Sequence, residues 1–326
     1  MKFYINARRE YTIKIWLAIG LSFLLMLLLI TPARSAGLTG QDKPYRTEEF
    51  SIDTPGELSV RTSGGHITVR GTEKNTVKVE MYAQKRGRFL TPGDDDLSDF
   101  DIQIEKQGNK VIASARQHSG ARGLFGSWTN NISISFVVYT PHEMSTELHT
   151  SGGHISAENL EGTENLKTSG GHLEMRNLKG TVDARTSGGH IEIADFEGDM
   201  DAHTSGGHIE AHNAKGTIEL RTSGGHIELD HVAGSIDART SGGHIDADVD
   251  QLGKYLTLRT SGGSVNITIP SGQGVDLELK GNLGVNTRLE NFSGNIEDDE
   301  ISGSLNGGGP KITARTSGGR VNLHFH

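Results

Sequence analysis

Thr186-Ser187-Gly188-Gly189-His190-Ile191-Glu192-Ile193-Ala194-Asp195-Phe196-Glu197-Gly198-Asp199-Met200-Asp201-Ala202-His203 is one unit of a repeat that decides the architecture. The Thr-Ser-Gly-Gly at its head occurs nine times, starting at Thr62, Thr150, Thr168, Thr186, Thr204, Thr222, Thr240, Thr260 and Thr316. From Thr150 to Thr240 the spacing is 18 residues at every step, and the next step is 20. A second glycine column, Gly162, Gly180, Gly198, Gly216 and Gly234, keeps the same period, and Gly253 continues it one residue late. Each unit therefore has two corners and two short segments. Such units bury a continuous core only by stacking on one another.

Both segments alternate. In His190-Ile191-Glu192-Ile193-Ala194 and in Met200-Asp201-Ala202-His203-Thr204, apolar residues fall on every second position, which predicts half-buried strands. The inward columns read Leu173, Ile191, Ile209, Ile227, Ile245; Met175, Ile193, Ala211, Leu229, Ala247; and Leu178, Phe196, Ala214, Val232. The other segment adds Val182, Met200, Ile218, Ile236 and Ala184, Ala202, Leu220, Ala238. These side chains are small or medium, so two strand layers can lie close together. Gly-Gly at the corner supplies either positive φ or close backbone approach.

Two all-β architectures fit. In a β-solenoid each 18-residue unit is one coil, paired in parallel with the next. In an antiparallel β-meander, Gly-Gly is a tight hairpin turn. The solenoid stacks Glu174, Glu192, Glu210, Glu228 and Asp246 into one like-charge ladder, which counts against it. Whole-unit identity at 18 residues is what coil-on-coil stacking produces, so the β-solenoid is the reading adopted, with the meander as its alternative.

The chain has 326 residues, 44 of them Gly, none Cys, and 6% aromatic. A thin coil accounts for the scarcity of aromatics. Without Cys there is no disulfide scaffold, thiolate metal site, Cys nucleophile or lipid-modified Cys. Lys and Arg number 32 against 41 acids, a net charge of −9, which argues against a nucleic-acid partner. At the N-terminus Arg8, Arg9 and Lys14 precede an apolar run from Ile15 to Ile30, then Thr31-Pro32-Ala33-Arg34-Ser35-Ala36. That pattern predicts a signal helix, with residues 1–35 removed on export. The alternative is an uncleaved anchor, but a sixteen-residue stretch falls short of the ~20 that comfortably span a bilayer. Either way the remainder is exported, to periplasm, cell surface or medium, and only an uncleaved segment would touch the membrane. Cleavage takes the bases from 32 to 27 and the acids from 41 to 40, a charge of −13.

Residues 45–149 read as an irregular N-terminal β region that caps the repeats of 150–326. Val77, Val79, Met81 and Ala83 alternate, as do Phe100, Ile102 and Ile104, then Ile132, Ile134, Phe136 and Val138. Polar loops at 84–98 and 117–130 separate them. Downstream, 264–270 predicts a strand, and Gly307-Gly308-Gly309-Pro310 a sharp turn before the last coil at Thr316. No helix is expected beyond the signal.

Four features in order resemble the DUF4097 adhesin-like family of bacterial envelope proteins: Val69-Arg70-Gly71-Thr72; Val137-Val138-Tyr139-Thr140-Pro141; the Thr-Ser-Gly-Gly-His-Ile units; and the run Ile301 to Pro310. The resemblance covers residues 45–326. It implies a secreted or surface β-solenoid and brings no catalytic motif, so no active-site residue is carried over. The strict His of the repeat goes beyond the family pattern.

That His is the sharpest chemical feature: His154, His172, His190, His208, His226 and His244 each follow a Gly-Gly corner. Alternation with the inward Ile turns them outward, and coil stacking spaces them at ~4.8 Å. An acid lies two positions later in five of the six. Imidazole beside carboxylate suits Zn, Ni or Cu, so these six are the candidate metal ligands. A straight ladder converges poorly on a tetrahedral ion, and a solvated stack shielding the backbone is the plainer reading. Asp183 with Arg185, Asp201 with His203, and Asp237 with Arg239 read as surface charge compensation. Asp94-Asp95-Asp96 with Asp99 and Asp101 could hold Ca²⁺ but lack the spacing of a calcium loop. Repeated acids and nine repeated Ser are poor enzymes, because an active site is singular. The expectation is an exported, non-catalytic module without a cofactor, binding an envelope protein or glycan. The alternative is an envelope metal-binding or pH-responsive protein using the His ladder.

Overall fold

The computed structural model describes residues 43–94, 97–118, 132–285 and 289–326. The expected signal at 1–35, Asp95, Asp96 and most of the 117–130 loop lie outside the described residues. Twenty strands join in one hydrogen-bonded sheet, and no helix occurs among the described residues.

The repeats are coils. Ile155–Lys167, Leu173–Arg185, Ile191–His203, Ile209–Arg221 and Ile227–Arg239 are thirteen-residue strands, and Ile245–Arg259 has fifteen. The first five pair in parallel at whole-unit register, Leu173 with Ile191, Gly180 with Gly198, Arg185 with His203, and Ile227–Arg239 pairs in parallel with Ile245–Arg259 through register shifts that absorb two extra residues. The β-solenoid is therefore the fold. Every apolar column predicted from alternation is buried. Burying a Leu, Ile, Phe or Met side chain contributes about 1.5–3 kcal/mol, so each coil contributes only when a neighbour covers it.

The like-charge ladder does form, with Glu174 opposite Glu192 and Glu210 opposite Glu228. Its repulsion is answered by bridging: Arg176 Nε lies 2.7 Å from Glu174 and its Nη2 lies 2.9 Å from Glu192. On the other strand, Arg185 spans Asp183 at 2.7 Å and Asp201 at 3.1 Å, and Arg239 meets Asp237. Asp201, expected beside His203, is instead held by Arg185 and Arg221 of the neighbouring coils.

The two corners work differently. The inner glycine column shares its turn with a residue three places earlier: Asn159, Asn177, Asp195, Asn213 and His231 have φ between 50° and 59°. Asn and Asp tolerate that left-handed region better than other side chains. At the Thr-Ser-Gly-Gly corner the requirement is close approach. A Cβ on Gly189 would lie 1.8 Å from the carbonyl oxygen of Gly171, whereas one on Gly188 meets nothing nearer than 3.8 Å. Thr186, buried, completes the corner: its Oγ1 donates to Gly171 O at 2.9 Å and accepts from Gly189 N–H at 3.3 Å.

The outlying corners at Thr62 and Thr316 belong to the same stack. Thr150 Oγ1 donates to Gly65 O at 2.8 Å, and Thr316 Oγ1 to Gly263 O at 2.7 Å. All nine corners thus stack in chain order, and the two long insertions form the ends. In the first insertion, Thr76–Lys85 runs antiparallel to Ile132–Pro141 and to Arg46–Ser51, while Phe100–Gln107 runs antiparallel to Lys110–Gln117. The 84–98 loop is less open than its composition suggests, since it holds the strand Arg88–Phe89 and the buried Leu90 and Leu97. In the second, Val275–Val285 lies in parallel on Lys311–Phe325 and then pairs antiparallel with Glu300–Leu305. Antiparallel hairpins and turns at both ends blunt the sheet edges of the stack.

One acid interrupts the core. Glu164 occupies the column of Val182, Met200 and Ile218, is 1% exposed, and receives a hydrogen bond from Thr146 Oγ1. Its other oxygen accepts none. Burial pushes its carboxyl up to about 7.

Candidate functional site

The six predicted histidines come together as one ladder, and a seventh joins it. His66, His154, His172, His190, His208, His226 and His244 stack with ring centroids 5.0, 4.7, 4.8, 4.8, 3.7 and 4.9 Å apart. His66 was legible in Thr62-Ser63-Gly64-Gly65-His66-Ile67, where 84 residues to the next such corner hid its membership.

The ladder is hydrogen-bonded to the backbone. The His172 amide N–H donates to His154 Nδ1 at 2.8 Å, and the amides of His154, His190, His208 and His226 donate likewise to the ring beneath. Serine does the same at either end: Ser135 Oγ accepts from the His66 amide at 3.0 Å, and Ser264 Oγ from the Arg320 amide at 3.2 Å. The amide after the corner needs an acceptor, and the side chain one coil below provides it. This fixes the tautomer. A ring whose Nδ1 accepts an N–H carries its proton on Nε2, so His66, His154, His172, His190 and His208 present Nε2–H donors outward. A metal on Nε2 of these rings would require moving that proton to Nδ1 and giving up the amide bond.

Burial pushes His66, His154, His172, His190 and His226 below the ordinary imidazole value, and neighbouring rings push the last four further. Charging a ring would also put a proton where the next coil's amide already donates. Glu174, Glu192, Glu210, Glu228 and Asp246 form the acceptor column on the same face. The two columns touch at His244 Nε2 and Asp246, 3.2 Å apart. His226 stands 3.9 Å from Glu210 and, with Glu228, forms a group of ligand spacing. The face is thus a long strip of donors beside acceptors, repeating once per coil. The corner threonines from Thr150 onward are spent on the backbone, each Oγ1 donating to a glycine carbonyl of the coil below and accepting the N–H of its own second glycine. Asp94, weighed for calcium, accepts from Thr91 N–H and Oγ1–H, each at 2.7 Å, and these bonds hold its carboxyl below the usual range. That is a turn-former's geometry.

Residues 55–324 match the family model described as Toastrack DUF4097. No curated protein matches the sequence. Among solved structures, similarity is found to a candidate cell adhesion protein of Clostridium sporogenes, 12% identical, TM-score 0.23, covering 87% of this chain and all of that one. A candidate lipid binding protein of Parabacteroides distasonis is 15% identical, TM-score 0.38, covering 86% and 96%. A candidate adhesin of Bacteroides fragilis is 11% identical, TM-score 0.33, covering 85% and 96%.

Proposed function

This chain belongs to the Toastrack DUF4097 family, and from that premise we propose that it is an exported, non-catalytic β-solenoid that works as an adhesin-like binding module of the bacterial envelope. The observation that carries the reading is the periodic face. Outward Nε2–H donors at about one strand spacing run beside a parallel column of carboxylates, so the surface offers the same contact coil after coil. Such a face suits an extended partner that itself repeats, a glycan or a protein strand, and gains affinity by adding weak equivalent contacts. The N-terminal basic and apolar sequence supports export.

A second reading, a pH-responsive envelope protein, is favoured by the lowered imidazoles of the ladder. One experiment separates these from catalysis. Immobilised protein is presented with envelope polysaccharide and with envelope protein fractions at pH 5.5 and 7.5, beside a variant carrying Glu192→Lys and Glu210→Lys. Binding that is present in the parent and lost in the variant supports the surface reading. Binding that switches between the two pH values supports the responsive one. A hydrolase activity abolished by changing a single acid, with the fold intact, overturns both.

A further inference from the structure

The repeat fails at one place on its surface, and the failure assembles ligands. In the outward column that reads Arg176, Ala194, His212 and Asp230 up the coils, chemistry changes from rung to rung. Beside it the inner corner carries His231, where the other units have Asn or Asp. Above it the ladder between the last two long coils slips, with register shifts between Leu229 and Val232 and beyond. Bulges of this kind re-aim side chains next to functional sites. The result brings Asp230, His231 and Asp248 together, with one ligand atom of each within 4.8 Å of the others.

The hydrogen bonds around the group orient it for an ion. His231 Nδ1 lies 3.1 Å from Asp250 Oδ1. A carboxylate only accepts, so Nδ1 carries the proton, and in the neutral imidazole Nε2 is left with its lone pair. That nitrogen faces Asp230 Oδ1 at 3.9 Å. This is the reverse of the ladder tautomer, and it is the carboxylate–histidine arrangement that metal-binding imidazoles use. Asp230 is held through its other oxygen by His212 Nδ1 at 3.1 Å. Asp248 Oδ1 is shut off from solvent and accepts no hydrogen bond, with His326 Nδ1 3.8 Å away. The side chains of Asp230, His231 and Asp248 are each about half exposed, with Asp248 Oδ1 itself covered.

We propose that Asp230, His231 and Asp248 bind one divalent transition-metal ion, with Asp250, His212 and His326 as the outer partners that hold them. One imidazole with two carboxylates suits Zn²⁺ and its neighbours over Mg²⁺ or Ca²⁺, which prefer all-oxygen sites. Titrating Zn²⁺ into the untagged full chain by calorimetry tests this, with circular dichroism as a check on folding. The expected result is one saturable ion per chain. His231→Asn, which tolerates the left-handed backbone there, and Asp248→Asn should each weaken it at least about tenfold, and Asp250→Asn by about 10–100-fold. A variant carrying His172→Asn, His190→Asn and His208→Asn should bind as the parent does. No saturable uptake, uptake unchanged in both His231→Asn and Asp248→Asn, uptake lost with the ladder, or Ca²⁺ binding as tightly as Zn²⁺ would each overturn the proposal.

Discussion

Thr186 and Glu164 show how single side chains set the terms of this stack. Replacing Thr186 by Val keeps its shape and leaves the Gly189 N–H and the Gly171 carbonyl short of a partner. Stranding buried backbone groups costs about 1–3 kcal/mol, and Thr186→Ser should recover most of it, read by urea denaturation. Glu164 makes stability depend on pH in a definite direction. Its carboxyl titrates at about 7 in the folded chain against an ordinary 4.5, so the folded state keeps a proton that the unfolded chain has released. Stability therefore falls as pH rises from 4.5 to about 7 and is level above, a loss of about 3 kcal/mol. The lowered histidines act oppositely. The unfolded chain takes up their protons first as pH drops below 6.5, so their contribution is full above 6.5 and is lost as pH falls through their folded values. Glu164→Val, matching Val182 one coil on, should gain about 2 kcal/mol at pH 8 after the loss of the Thr146 bond. Its urea stability should then only rise with pH before levelling. Parallel curves for parent and variant between pH 4.5 and 8 would refute the assignment.

Corners, more than strands, decide whether one coil can lie on the next. The outer corner asks its second glycine for room and its first for almost nothing. Gly189→Ala should cost about 3 kcal/mol or more, because the atoms it meets are backbone and cannot swing aside. Gly188→Ala should stay within about 0.5 kcal/mol of the parent. Equal losses in thermal melts of the two variants would contradict the close-approach reading. The strands and their inward faces were legible because alternation reports which side of a strand is buried, and Ile191, Ile193, Phe196, Met200 and Ala202 are all in the core. The left-handed turn at Asn177 and Asp195 is present in the sequence as a column of Asn, Asp and His with an 18-residue period, but those residue types are equally common in ordinary loops, whereas the glycine three places on signals a turn by itself. The ladder's outward direction and spacing were also legible. Its hydrogen bond to the next coil's amide was not, because that bond depends on where Gly-Gly leaves the N–H, which composition does not record. His231 carries no periodic signal, because its grouping with Asp230 and Asp248 depends on the register shift between two coils, which the repeat does not encode.

Nine corners stacked in chain order make residues 43–326 a one-dimensional stack, with its two longest insertions at the ends. The like charges that argued for a meander are a property of that column, and arginines reaching from one coil to the next, Arg176 and Arg185 among them, hold it against them. In such a column each coil touches only its neighbours, so whole coils are the unit in which its length changes without disturbing a corner. Deleting residues 187–204 joins Thr186 to Ser205 and restores an intact corner. Leu173 then faces Ile209, Met175 faces Ala211, Gly180 faces Gly216, and Gly189's place against Gly171 is taken by Gly207. The shortened chain should fold, with a smaller denaturant slope because less surface is exposed on unfolding. Deleting half as much, residues 187–195, joins Thr186 to Phe196. It removes the Gly-Gly that permits close approach and lays the second strand of one coil where the first should pair. That chain should lose cooperative unfolding and the strand signature in circular dichroism. If the half-coil deletion folds as well as the whole-coil one, the corner glycines do not set the register, and coil-on-coil stacking is the wrong account of what holds this protein together.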